Sequence, residues 1–314
     1  VVRVSGNFRG RHFLDLAHFS KEEILFILES AQNLKKRWIM GERPKIMEGK
    51  ILALLFEKPS LRTRVSFEVA ARQLGGESFY LGPQEVGLGK REAIKDVAQV
   101  LSRMVDGIVL RTFAHENVLE MARYSRVPVI NGLSDLHHPC QVLGDLLTVQ
   151  EKKGGLGVKI CFVGDGNNVC HSWIVAAAIL GLTLVVCTPP RYRPREDIWN
   201  WAQEKSRKSG AKIIYEEDPR RALQAATVVY TDVWASMGKE DEAEERARFF
   251  APYQLNEVLL KEASPEAIVM HCMPAHRGQE ITDEVIDGPQ SVVLDEAENR
   301  LHAQKALLAL FLDL

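Results

Sequence analysis

Residues Phe56–Glu68 read FEKPSLRTRVSFE. They follow the apolar run Ile51–Phe56 and lead into a pattern in which Phe67, Ala70, Ala71 and Leu74 recur at i, i+3, i+4 and i+7. That recurrence marks one buried helix face. A buried strand therefore hands over to an amphipathic helix, and Ser60, Arg62, Thr63 and Arg64 are crowded at the hand-over. A helix start exposes unpaired N–H groups at the positive end of its dipole, a place where phosphate binds well. Ser60 and Thr63 add hydroxyls, and Arg62 adds a planar fork that grips two oxygens. On its own, the stretch reads first as a capped helix with two surface arginines.

The same alternation extends in both directions. Ser20 with Glu23 forms a capping-box pattern, and Ile24, Ile27, Leu28 and Ala31 supply the buried face of the helix it opens. Ile94, Val97, Ala98 and Leu101 mark another helix, Gly107–Leu110 a short buried strand that delivers Arg111, and Val127–Ile130 the next strand. A helix starts near Pro139, where a missing N–H is harmless, and runs to about Lys152; the GGLG after it suits a domain boundary. The second half repeats the scheme: strand Val158–Val163, turn GDGNN, helix His171–Leu180 and strand Leu182–Cys187. Further strands are expected near Lys212–Tyr215, Val228–Thr231, Ala267–His271 and Ser291–Leu294, and a final helix over about Glu296–Leu312. Strands alternating with helices in both halves predict an α/β protein with two doubly wound, Rossmann-like parallel sheets. Ligands in such folds bind at the carboxyl ends of strands. Ser60–Arg64, Arg111, GDGNN, Asp232 and His271–Cys272 all fall there.

A chain of 314 residues holds two ordinary domains. Its net charge of −2 gives no general affinity for nucleic acid or an acidic membrane. The five cysteines include no C-x-x-C pair, which argues against a disulfide framework or a zinc site and fits a reducing cytoplasm. The opening VVRVSGNFRGRHF lacks the apolar core of a signal peptide or membrane span.

Several residues could carry chemistry. In LHHPCQ, Leu136–Gln141, His138 and Gln141 could both donate to a carbonyl that gains negative charge. GDGNN, Gly164–Asn168, stops short of G-x-G-x-x-G, and the following VVCTPPRYR has no acid for a ribose, which argues against an NAD site. Asn168 could instead offer its amide to a small polar ligand. In TDVWASMG, Asp232 could hold an ammonium group, with Trp234 and Met237 as an apolar wall. The run KEDEAEERAR reads as a solvated helix face. Cys272 would be reactive only if nearby cations lowered its pKa. Arg300 in DEAENRLH reads singly as a surface arginine. Together, the arginines and neutral donors suit a phosphate-bearing carbonyl compound, Asp232 and Asn168 suit an amine, and the pair suggests group transfer between two domains.

The segments SLRTR, LHHPCQ, GDGNN, DVWASMG, HCMPAHRG and AENR, in that order, resemble the ornithine branch of the aspartate/ornithine carbamoyltransferase family over essentially the whole chain. The resemblance implies carbamoyltransferase architecture. A carbamoyl phosphate-binding domain would span residues 1–148 plus a returning helix at about 296–314, and an ornithine-binding domain residues 149–295. It implies that carbamoyl phosphate is bound by Ser60, Leu61, Arg62, Thr63, Arg111, His138, Pro139, Cys140, Gln141, Cys272, Met273 and Arg300, and ornithine by Asn168, Asp232, Ser236 and Met237. Arg62, Arg111, His138, Asp232 and Cys272 would be catalytic, with Cys272 in the position of the proton acceptor. It further implies a cytoplasmic homotrimer or an assembly of trimers, with no cofactor or metal and no nucleic-acid or membrane partner. The chain departs from the common pattern at Leu61 for Thr, Gly87 for Gln, Ala93 for Ser and Met273 for Leu.

Overall fold

The computed structural model describes residues 8–235 and 242–312. The chain divides into two compact units, one comprising residues up to Leu147 and from Glu298 onward, the other Thr148–Ala297. Both divisions fall inside continuous helices, and the first lies ahead of the GGLG stretch.

The first unit begins with α1 (Lys21–Ile39), whose capping box is formed: Glu23 N–H donates to Ser20 Oγ and Ser20 N–H to the Glu23 carboxylate. Then come β1 (Ile51–Phe56), α2 (Leu61–Gln73), β2 (Glu77–Leu81), the single turn α3 (Pro83–Val86) and α4 (Ile94–Leu101). They are followed by β3 (Gly107–Arg111), α5 (His115–Tyr124), β4 (Val129–Leu133) and α6 (Pro139–Lys153). The strands form one parallel sheet in the order β2-β1-β3-β4. Ala53, Leu55, Ile108 and Leu110 pack with Val118 and Met121 of α5 in its core. The fourth strand starts two residues later than its apolar run suggests and extends to Leu133.

The second unit contains β5 (Lys159–Val163), α7 (Asn168–Leu180), β6 (Thr183–Cys187), α8 (Glu196–Ser209), β7 (Lys212–Tyr215), α9 (Pro219–Leu223) and β8 (Val228–Thr231). After these come α10 (Ala243–Phe250), α11 (Glu257–Leu260), β9 (Ile268–His271) and α12 (Asp283–Ile286), and α13 (Val293–Phe311) carries the chain back into the first unit. This sheet is also parallel, in the order β7-β6-β5-β8-β9. The strand expected at Ser291–Leu294 does not form. Ser291 makes one isolated bridge to Val269, and α13 begins at Val293 before a ladder can develop.

Strand order locates a crevice in each unit. From β1 the chain steps to β2 on one side and then crosses to β3 on the other, so the order reverses between β1 and β3. In the second unit it reverses between β5 and β8. Open α/β sheets bind ligands outside the carboxyl ends of strands at such a reversal.

Candidate functional site

In the first unit, Phe56 ends β1 in register with Arg111 at the end of β3, so the turn after β1 opens beside Arg111. Ser60 caps α2: its backbone is extended, and its Oγ accepts from Thr63 N–H at 3.3 Å. This hydroxyl bond secures the helix start whose dipole favours an anion. Leu61, the first helical residue, is 72% exposed, so its side chain contributes nothing to the helix packing. Arg62 is half-buried, while Thr63 is buried.

Thr63 is the hub of this half-site. Its Oγ1 accepts from Arg300 Nη2 at 3.1 Å and from Arg111 Nη1 at 3.4 Å. Arg300 Nη1 donates to Gln141 Oε1 at 2.6 Å, and Gln141 Nε2 donates to Asp145 Oδ1 at 2.8 Å. Gln304, in the amide orientation that satisfies its neighbours, accepts from Arg300 and donates to Ser66. Arg300 is therefore no surface residue: it lies within α13 and is 2% exposed. The close approach needs Gly144, where a Cβ would lie 3.2 Å from the Arg300 nitrogen. His138 is buried, and burial together with the Arg300 and Arg111 charges holds its pKa well below the ordinary range. It is a neutral imidazole at neutral pH. Pro139 opens α6. Burial pushes the Cys140 thiol up to about 12, and its Sγ donates to the Asn131 carbonyl, so the Cys140 side chain is structural.

In the second unit, Asn167 caps α7, its Oδ1 accepting from Val169 and Cys170 N–H groups. The resemblance points to Asn168, the next residue, as the amide that meets the amine. Yet the Asn167 amide reaches across from β5 to β8, donating from Nδ2 to Asp232 Oδ2 at 2.6 Å. Asn168 is the half-buried first residue of the helix. Asp232, 5% exposed, also receives Oδ1 bonds from Val233 N–H at 2.8 Å and from Cys272 Sγ at 2.9 Å. Gly166 makes this turn possible: a Cβ there would fall 2.3 Å from the Pro194 nitrogen. Ser236 and Met237 lie outside the described residues.

Cys272 follows β9 and is half-buried, and Met273 after it has φ +55°. The turn is held from behind by His271, whose Nδ1 accepts from Met273 N–H at 2.9 Å while its Nε2 faces Glu280 Oε1 at 2.9 Å. The polar atoms of Asp232, His271 and Cys272 lie within 4.8 Å of one another, close enough to suggest a metal trio. But the Met273 amide and Glu280 occupy both His271 nitrogens, so the imidazole serves the backbone.

Each crevice thus carries a polar cluster of defined sign: guanidinium groups, a neutral imidazole and a helix start in one unit, and a carboxylate with neutral donors in the other. This is the equipment of a two-substrate group-transfer enzyme of the α/β class. Residues 11–151 match the carbamoyl-P binding domain of aspartate/ornithine carbamoyltransferases, and residues 156–311 match their Asp/Orn binding domain. The chain belongs to the aspartate/ornithine carbamoyltransferase family. It is 53% identical over 305 residues to an ornithine carbamoyltransferase of Pyrococcus abyssi, covering 97% of this chain and 96% of that one. The solved ornithine carbamoyltransferase from Pyrococcus furiosus superposes with a TM-score of 0.94 at 51% identity, covering 98% of each chain. The anabolic enzyme from Campylobacter jejuni gives 0.91 at 44%, covering 95% of this chain and 97% of that one.

Proposed function

We propose that this chain transfers the carbamoyl group of carbamoyl phosphate to the side-chain amine of L-ornithine, yielding L-citrulline and phosphate. The observation that carries the reading is the convergence of Arg111 and Arg300 on Thr63, with Gln141 and neutral His138 beside them. Arg62 and the start of α2 take the phosphate. Thr63, Arg111 and His138 face the carbonyl oxygen as it becomes an oxyanion. Cys140 and Pro139 contribute through their backbone.

The amine of ornithine, like that of lysine, is protonated at neutral pH. Asp232 holds it as an ammonium, and the Asp232–Cys272 pair receives the proton. The neutral nitrogen then attacks the carbonyl carbon. A C–N bond forms to give a tetrahedral intermediate, which collapses as the C–O bond to phosphate breaks, the second proton of the attacking nitrogen leaving on the phosphate. Cys272 need not be a nucleophile, because no covalent intermediate is required. A carboxylate as the anchor favours ornithine over aspartate, whose extra carboxylate Asp232 would repel.

Formation of the carbamoylated amine together with phosphate is the test, with purified protein, carbamoyl phosphate and a panel of L-ornithine, N-acetylornithine, aspartate and putrescine. Product with ornithine alone is expected; product with another amine, or none, overturns the assignment. In the described residues no helix is long and apolar enough to cross a membrane. Five free thiols, four of them buried, suit a cytoplasmic enzyme. We place it in a homotrimer, in which Leu61 and Val65, exposed one turn apart on α2, would find apolar partners. A mass by light scattering matching a monomer would refute this.

A further inference from the structure

Arg246 sits in a run of charged residues that reads as a solvated helix face, and its neighbours Glu244, Glu245 and Arg248 are indeed exposed. Arg246 itself is 3% exposed. Its Nη1 donates to Asp165 Oδ2 at 3.0 Å and to the Trp234 carbonyl at 2.8 Å, while its Nε donates to Glu242 at 2.9 Å. The guanidinium also lies 4.6 Å from the Tyr192 ring centre. Tyr192 and Trp234 both pack on Phe250 of the same helix. One side chain therefore ties together α10, the turn after β5, the segment after β8 and the loop at Tyr192.

Two of those attachments flank the amine half-site. Asp165 is two residues before Asn167, and Trp234 is two residues after Asp232. Asn167 and Asp232 are the pair joined at 2.6 Å across the β5–β8 crevice. The pairing also has an electrical consequence. Asp165 is buried beside the same crevice, and matching it with a guanidinium leaves Asp232 as the carboxylate that an ammonium meets. A guanidinium suits the task because its fork serves several acceptors at once, which an ammonium at one point cannot do in the same geometry.

We propose that Arg246 is a positioning residue for the amine substrate, holding Asn167, Asp232 and Trp234 in register through Asp165 and the Trp234 carbonyl. This rests on the assignment of ornithine to the second unit. It touches no substrate and takes no proton.

The test compares wild type with Arg246→Met, Arg246→Lys, Asp165→Asn and the double variant Asp165→Asn/Arg246→Met, each substrate being varied in turn. Arg246→Met should raise the ornithine KM by about tenfold or more, as expected for losing buried charge-assisted bonds. The carbamoyl phosphate KM should stay within about twofold. Arg246→Lys should fall between the two. Asp165→Asn, which keeps an acceptor for the guanidinium, should shift the ornithine KM in the same direction by less. A variant that only unfolds a fraction of the protein would lower kcat and leave both KM values alone, and that result overturns the proposal. So does a parallel rise in both KM values.

A second readout needs no turnover. Cys272 is the half-buried thiol, the other four being buried, so mild alkylation reports on it. In the double variant two opposite charges leave together, so a changed rate reports geometry at the Asp232–Cys272 contact. A faster rate is expected as Asp232 loosens its hold on the thiol, and an unchanged rate overturns the proposal. If wild type forms no citrulline, the functional reading fails, and the alkylation rate alone decides the role of Arg246.

Discussion

Thr63→Val is the sharpest probe of the first half-site. Valine matches threonine in shape, so the substitution removes a hydroxyl and little volume. In the structure that hydroxyl accepts from two guanidinium groups, at 3.1 and 3.4 Å. A hydroxyl has two acceptor positions and one donor. With both acceptor positions taken by cations, the remaining O–H is polarised and serves as a donor. The change therefore has separable effects on folding and on turnover. Arg300, 2% exposed, keeps Gln141 and Gln304 but loses one acceptor, as does the buried Arg111, which costs about 1–3 kcal/mol of stability. The carbonyl of carbamoyl phosphate loses one oxyanion donor, which costs roughly 3–4 kcal/mol, or on the order of 10²–10³ in kcat. Thr63→Ser keeps the hydroxyl and should recover most of the rate. The assay is initial-rate citrulline formation at saturating substrates, alongside denaturant unfolding of the same preparations. If valine turns over within about twofold of wild type, the hydroxyl does not act on the transition state and the hub is only structural.

Lys305 offers a test by pH. It is 1% exposed, donates to Gln73 Oε1 at 2.6 Å, and burial pulls its pKa from 10.5 down to about 8. That difference corresponds to about 3 kcal/mol against the charged form. Below about pH 8 the folded and unfolded chains both hold the proton, and the folded chain bears the whole penalty; between about 8 and 10.5 only the unfolded chain holds it, so stability rises with pH. Lys305→Met should be more stable than wild type at neutral pH and should lack the alkaline rise, and parallel unfolding midpoints across pH would refute this. Gly166→Ala should displace the 192–194 loop, because the new methyl would lie 2.3 Å from the Pro194 nitrogen and 2.6 Å from the Tyr192 carbonyl. A higher ornithine KM with unchanged carbamoyl phosphate KM is expected, and wild-type kinetics would show that the turn relaxes without moving Asn167.

Where apolar periodicity dominates, the fold is legible from the chain. Ile51–Phe56 is fully apolar and becomes β1, and Ser20 with Glu23 announces α1. The edge strand Glu77–Leu81 has no such signal, because none of its residues is fully buried. Ser291–Leu294 has the composition of a strand, but the helix behind it starts too early for a ladder to form. At the site, residue type is legible from the chain and burial is not. Arg300 and Arg246 read as surface charges because their partners lie far along the chain: Thr63 is 237 residues from Arg300, and Asp165 is 81 from Arg246. Asn167 and Asn168 differ only in the phase of a helix start. The extended capping residue turns its amide towards Asp232, whereas the next residue already has helical backbone, so a capping contact is visible only once the helix start is fixed to the residue.

The second half-site allows a count of what an incoming amine can touch. A carboxylate offers roughly four acceptor positions over its two oxygens. Among the described residues, Asp232 Oδ1 receives Val233 N–H and the Cys272 thiol, and Oδ2 receives the Asn167 amide. Oδ1 is filled, and Oδ2 has one position left. The ammonium of ornithine should therefore dock on Oδ2, beside Asn167, with the thiol on the other oxygen of the same carboxylate. Attraction between unit charges at about 4 Å is worth about 4 kcal/mol near a protein surface, enough to hold the ammonium but also to resist its deprotonation. The proton must therefore pass into the hydrogen-bonded pair before the nitrogen can attack. Asp232→Asn would leave a neutral oxygen there, weakening ornithine binding while removing this resistance. A structure with a bound ornithine analogue checks the geometry: its amine should lie within hydrogen-bond distance of Oδ2, and an amine bound only through Oδ1, displacing the Cys272 thiol, would refute the count.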